Sequence, residues 1–120
     1  MMLKPSAPSV KITFANRDQI MEALARLSHT WLAEHAEIEK IILFGSYVRG
    51  DYFPGSDVDV LIILTTSPKR FLERMPTFYP SSFPCDLDIF PYTHEEIDRL
   101  RNDHHGLVHR ALSEGMQLYP

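Results

Sequence analysis

ILFGSYVRGDYFPGSDVDVLIIL, residues Ile42–Leu64, is the stretch on which the reading of this chain turns. An apolar run stops at Gly45-Ser46, passes through Arg49-Gly50, and resumes at Val58 with Asp57 and Asp59 on either side. A carboxylate set into an apolar strand is costly unless a proton, a cation or a hydrogen-bond donor compensates it. Whatever compensates Asp57 and Asp59 therefore indicates what the chain does.

Working outward, IEKIILF (Ile38–Phe44) reads as a strand ending at Gly45, and VDVLIIL (Val58–Leu64) as a second, more deeply buried one. CDLDIF (Cys85–Phe90) reads as a third strand, closed by Pro91. Asn16 with Gln19 three residues on predicts a capped helix start, and Ile20, Leu24, Leu27 and Trp31 then share one helical face. Ser67-Pro68 predicts another helix start, with Pro76, Pro80 and Pro84 limiting that helix to one or two turns. Thr93 and Glu96 form a capping box for a helix towards Asn102, and a last helix covers Leu107–Glu114, stopped by Gly115. MQLYP adds a short final strand, and Val10, Ile12 and Phe14 form either a strand or an apolar anchor. The expected fold class is α/β or α+β: a small mixed sheet of about three to four strands covered by helices. The expected organisation is a flexible N-terminal segment over 1–15 and one domain over 16–120.

A chain of 120 residues, 44% apolar and 23% charged, has the size and composition of a single globular domain. No apolar run approaches the ~20 residues needed to cross a bilayer. The N-terminus lacks the apolar core of a secretory signal, and one cysteine, Cys85, forms no internal disulfide; both suggest a cytoplasmic protein. A net charge of −4 argues against a protein that grips long nucleic acid by its phosphates, but leaves room for a nucleotide held through a metal.

Asp57 and Asp59 lie two apart, so in a strand their carboxylates share a face, and Asp86 and Asp88 repeat the spacing. If the two strands are neighbours, three or four carboxylates converge and repel one another unless protons or divalent cations intervene. Mg²⁺ suits such a cluster, because it takes hard oxygen ligands and keeps positions for water and substrate phosphates. Two such ions, roughly 3.5–4 Å apart, clamp the attacking and leaving oxygens of a phosphoryl displacement. Gly45 lets backbone approach a phosphate, Ser46 adds a hydroxyl and an N–H, and Arg49, one helical turn on, suits a bidentate phosphate contact. The bland reading of Arg49 is a surface pair with Asp51 or Glu39. No Gly-Lys-Ser/Thr follows, so this is not a Walker loop.

Gly45-Ser46, ten residues, then Asp57-Val58-Asp59 resembles the signature of the DNA polymerase β-like nucleotidyltransferase superfamily, and GSYVRGDYFPGSDVDVLI resembles its minimal members, the MNT-type nucleotidyltransferases. DIFPYTHEEID (Asp88–Asp98) is similar to the segment carrying that family's third carboxylate. The resemblance implies that Gly45 and Ser46, with Arg49, hold a nucleoside triphosphate. It also implies that Asp57, Asp59 and a third acid ligate two Mg²⁺ ions and that the third acid helps deprotonate an attacking hydroxyl. Asp88 aligns with the third position, while Asp86 shares its face as the alternative. The implied reaction moves a nucleoside monophosphate, AMP from ATP, to a hydroxyl and releases pyrophosphate. Many minimal members stand beside an all-helical HEPN protein, and some act as antitoxins that add AMP to a tyrosine of that toxin. An alternative on the same fold is a non-catalytic antitoxin that neutralises its partner by occlusion, and a third is a regulator that binds ATP without turnover. His104, His105 and His109 read as a solvated helix terminus, with no accompanying ligands at zinc spacing.

Overall fold

The computed structural model describes residues 15–120. Val10, Ile12 and Phe14, and almost all of the segment expected to be flexible, lie outside the described residues. Helix α1 (Arg17–Glu34) begins at the expected cap: Asn16 Oδ1 accepts the Gln19 N–H at 2.8 Å, and Gln19 Oε1 accepts the Asn16 N–H at 2.9 Å. Its buried residues are Ile20, Leu24, Ser28 and Trp31. Leu27 only flanks the core, because the serine one position on completes the helical stripe.

Strand β1 (Ile38–Phe44) runs into a single helical turn, α2 (Ser46–Arg49), then a loop, then β2 (Val58–Leu64). Helix α3 is Phe71–Phe78, β3 Leu87–Thr93, α4 His94–Leu100, α5 Leu107–Glu114 and β4 Met116–Tyr119. The sheet order is β3-β2-β1-β4. β1 is antiparallel to both β2 and β4, and β2 is parallel to β3. This is the expected mixed sheet, with the short last strand in place.

Strand alternation distributes the core over both faces. Ile41, Leu43, Val58, Val60, Ile62, Leu87 and Ile89 pack with α1 on one side. Ile42, Phe44, Leu61 and Ile63 pack with Ile97 of α4 and Val108 and Ala111 of α5 on the other. Trp31 joins α1 to the end of α3, its indole N–H donating to the Phe78 carbonyl at 2.8 Å. Among the described residues no helix is long and apolar enough to cross a membrane.

The bounds of α3 and β3 differ from expectation; β3 starts at Leu87, leaving Cys85 and Asp86 before it. α3 starts at Phe71 and not at Ser67-Pro68, because the Ser67 hydroxyl accepts the Lys69 N–H at 3.2 Å and closes a turn, while Glu73 accepts the Arg70 N–H at 3.0 Å. The helix then runs through Pro76 to Phe78. β3 likewise continues through Pro91 to Thr93. It is an edge strand, and the Pro91 carbonyl faces outward, accepting from Arg74 Nη1 at 3.0 Å. A residue's N–H and C=O point to the same side of a strand, so the missing proline donor removes no bond to β2. Arg74, almost wholly buried, also pairs with Glu96, Nη1 to Oε1 at 2.6 Å and Nη2 to Oε2 at 3.1 Å. Glu96 in turn accepts the Thr93 N–H at 2.9 Å, which ties the expected capping box to a partly buried ion pair.

Candidate active site

The end of β1 and the beginnings of β2 and β3 meet at one edge of the sheet. Phe44 stands opposite Asp59 across the β1–β2 pair, and Asp59 stands opposite Asp88 across the β2–β3 pair. Val58 and Val60, and likewise Leu87 and Ile89, belong to the α1 face. Asp57, Asp59 and Asp88 therefore fall on the other face, the one covered by α5.

Local sequence explains how each arrives there. Phe53-Pro54-Gly55-Ser56 closes a tight turn: the Ser56 N–H donates to the Phe53 carbonyl at 2.9 Å, and the Ser56 hydroxyl accepts the Phe53 N–H at 2.7 Å. Gly55 at φ 83° supplies the positive φ that such a turn requires after proline, and Asp57 follows immediately. Gly45 carries φ 83° and ψ −152°, a backbone conformation essentially reserved for glycine. A Cβ placed there would land on Asp59 Oδ2, far inside van der Waals contact. The Gly-Ser pair and the aspartates twelve to fourteen positions later are thus one spatial unit, and the glycine is required by the carboxylate beside it.

The acids are strongly coupled. The Asp59 carboxyl is pushed from 3.8 up to about 6, first by burial, then by the charges of Asp88 and Asp57, with Arg110 opposing. The Asp88 carboxyl, though its residue is largely exposed, is also raised, by desolvation and then by Asp57. Asp59 and Asp88 stand side by side on the neighbouring strands β2 and β3. Asp86 is exposed, precedes β3, and engages the site through its backbone, its carbonyl accepting the Val58 N–H at 2.9 Å. Of the two candidates for third acid, Asp88 is the one in register with Asp59.

A cleft of about 580 Å³ opens beside these residues, within the ordinary range for small-molecule sites. Gly45, Ser46, Arg49, Asp57 and Asp59 line it; Asp88 lies one strand further on and does not. Arg49 is held by Asp51 and Glu114, each at 3.2 Å, so the expected surface pair with Asp51 exists while the guanidinium still faces the cleft. Glu39 pairs instead with His94, at 3.0 Å. Tyr47 and Tyr52 stack at 4.6 Å beneath the loop, with Tyr47 buried in the core. One wall of the cleft is α5, through Leu107, Arg110 and Glu114. Sequence reasoning missed that wall. Its only signal is the stripe of these three residues beside the buried Val108 and Ala111, and that stripe does not say which sheet face it meets.

Among the described residues, no group of three or more His, Cys, Asp or Glu already surrounds a common point as metal ligands would. Fit to a divalent ion therefore rests on donor type. Asp57, Asp59 and Asp88 offer the hard oxygen set that Mg²⁺ takes, and a cation among them would relieve the repulsion that raises Asp59 and Asp88. His104, before α5, packs edge-on against His109 of α5 at 4.7 Å, and neither lines the cleft beside the acids.

Residues 20–110 match the model of the nucleotidyltransferase domain. The chain belongs to that family. This nucleotidyltransferase is 56% identical, over 76 residues, to a Methanocaldococcus jannaschii protein provisionally named a protein adenylyltransferase; the match covers 55% of this chain and 75% of the relative. Two solved structures share the fold. One is a provisionally assigned nucleotidyltransferase from Sulfolobus solfataricus, with TM-score 0.60 and 18% identity, covering 84% of this chain and 80% of that one. The other is a toxin–antitoxin structure with AMP-PNP, with TM-score 0.51 and 21% identity, covering 88% of this chain and 73% of that one. The family resemblance in the Gly-Ser and Asp-x-Asp spacing therefore holds for this nucleotidyltransferase.

Proposed function

We propose that this nucleotidyltransferase, one domain over residues 16–120, transfers AMP from ATP to a protein hydroxyl in a Mg²⁺-dependent, cytoplasmic reaction, with a HEPN-type toxin as the partner that the family resemblance implies. One observation carries the reading: Asp59 faces Asp88 across neighbouring strands, with Asp57 acting on both, beside a glycine that has no room for a Cβ. The naming of the M. jannaschii relative as a protein adenylyltransferase supports AMP transfer to protein. The toxin–antitoxin neighbour with AMP-PNP supports an adenine nucleotide and a toxin partner.

Asp57, Asp59 and Asp88 would hold the divalent ions, which supply charge neutralisation at the reacting phosphate when bound. The remaining work falls to the chain itself. Gly45 gives the phosphates close access to backbone, and Ser46 contributes its hydroxyl and N–H. Arg49, its carboxylate partners fixing it at the cleft edge, meets the phosphate tail. Asp88, its carboxyl raised by burial and by Asp57, takes the proton of the attacking hydroxyl.

The test is transfer from α-labelled ATP with Mg²⁺ to an all-helical partner protein, comparing wild type with Asp57→Asn. Label on the partner with wild type, and none with the variant, is the expected result. Transfer by Asp57→Asn at the wild-type rate would overturn the assignment. Partner inhibition that survives in the variant without transfer would establish occlusion instead.

A further inference from the structure

The cleft has two guanidiniums, and their surroundings differ. Arg49 is clamped by two carboxylates, Asp51 and Glu114. Arg110, one helical turn before Glu114 on the same face of α5, lines the cleft with Gly45 and Ser46. Among the described residues no carboxylate lies within ion-pairing distance of Arg110, in contrast to Arg26, Arg49, Arg70, Arg74, Arg99 and Arg101. It is exposed, and its charge still reaches Asp59. An arginine committed to neutralising the acids would close on Asp59. This one stands off, lining the same cleft as the Gly-Ser turn, with five N–H donors uncommitted to a carboxylate.

We propose that Arg110 is a substrate-contacting residue that grips the β- and γ-phosphates of the nucleotide and then the departing pyrophosphate. The inference rests on the nucleotidyl-transfer reading of the cleft and adds a residue to it. In that reaction the acceptor oxygen bonds to the α-phosphorus and its proton passes to a carboxylate. The bond from the α-phosphorus to the bridging oxygen breaks, and its electron pair leaves with pyrophosphate. Negative charge accumulates on the leaving group, and a guanidinium is suited to meet it through paired N–H donors. Placement of the acids makes the division of labour physical. They sit on the β2–β3 side, where the α-phosphate must lie to meet them. The phosphate tail is left to the Gly-Ser turn and the α5 wall, where Arg110 stands.

Because the acceptor is not needed for binding, the experiment is calorimetric titration of the purified protein with Mg-ATP and, separately, with AMP. Wild type, Asp57→Asn, Arg110→Gln and Arg110→Lys are compared. Arg110→Gln is expected to weaken ATP about 10- to 100-fold, the span of a charge-assisted contact, and AMP less than about two-fold on the same footing. Arg110→Lys keeps the charge and is expected to recover part of the loss. Because Arg110 is exposed, both variants should melt with the wild type, and the Lys variant carries the ATP-against-AMP comparison by itself if the Gln variant folds poorly. If wild type binds ATP in an Asp57-dependent way and Arg110→Gln binds it equally well, the Arg110 assignment falls and the site stands. Equal weakening of ATP and AMP also refutes it, since a phosphate-tail contact must discriminate. If wild type binds no ATP, the nucleotide reading fails and takes this inference with it.

Discussion

Replacing Asp59 by asparagine is expected to stabilise the metal-free protein at neutral pH. Its carboxyl is held at about 6 in the folded chain against an ordinary value of 3.8. The raised value means that folding favours the protonated form. The protein therefore has its full stability below about pH 4, where Asp59 is protonated in both states, and loses some as pH rises towards and through 6. A shift of that size corresponds to about 3 kcal/mol. Asp59 is only half-buried, and screening by solvent reduces this to roughly 1–2 kcal/mol. An asparagine side chain has the same shape and no charge to suppress, so Asp59→Asn escapes the penalty. Urea denaturation in EDTA at intervals from pH 4 to pH 8 measures it. The two proteins should unfold at nearly the same midpoint near pH 4, and the variant should lead by roughly 1–2 kcal/mol above pH 7. Nucleotide binding, by contrast, should be lost. A variant that is less stable than wild type at pH 7.5, or a difference independent of pH, would refute the picture of Asp59 as a strained member of an acid cluster.

Gly45→Ala should lose about 2 kcal/mol or more, combining a positive φ with a Cβ on Asp59 Oδ2, and should abolish ATP binding; denaturation and calorimetry read the two effects. Glu96→Gln removes the counter-charge of the almost wholly buried Arg74 and weakens the cap at Thr93, and should cost about 3 kcal/mol by urea denaturation. A loss below about 1 kcal/mol would mean that Arg74 is solvated. Trp31→Phe leaves the Phe78 carbonyl without its donor and should cost about 1–3 kcal/mol, followed by circular dichroism because Trp31 is the sole tryptophan. Burial, then the neighbouring Asp86, raises the Cys85 thiol to about 11, so in the folded protein it should react with thiol reagents at pH 8 far more slowly than in urea. Equal rates in the two conditions would place it outside any such environment.

The legible parts of this chain are those whose cause is local. Capping boxes are closed by residues three apart, which is why Asn16-Gln19 and Thr93-Glu96 are readable as helix starts and stand as such in the fold. Gly115 ends α5 as its position predicts. Two-residue alternation puts Asp57 with Asp59, and Asp86 with Asp88, on common faces before any pairing is known. Where sequence misleads, a second local bond or a tertiary position overrides the first signal. Ser67 spends its hydroxyl on a turn, and Pro91 continues a strand because that strand is an edge.

The chemistry on offer is written in the chain: a glycine-serine turn, two carboxylates at strand spacing, and a second such pair downstream. Their types and separations are properties of the covalent polymer. Which of them meet is a matter of packing. Parallel pairing of β2 with β3 sets Asp88, and not Asp86, opposite Asp59. Docking of α5 on the face that these acids share brings Arg110 and Glu114 to the cleft. Strand order and the choice of sheet face arise from contacts between residues far apart in the chain, and no short-range spacing encodes them.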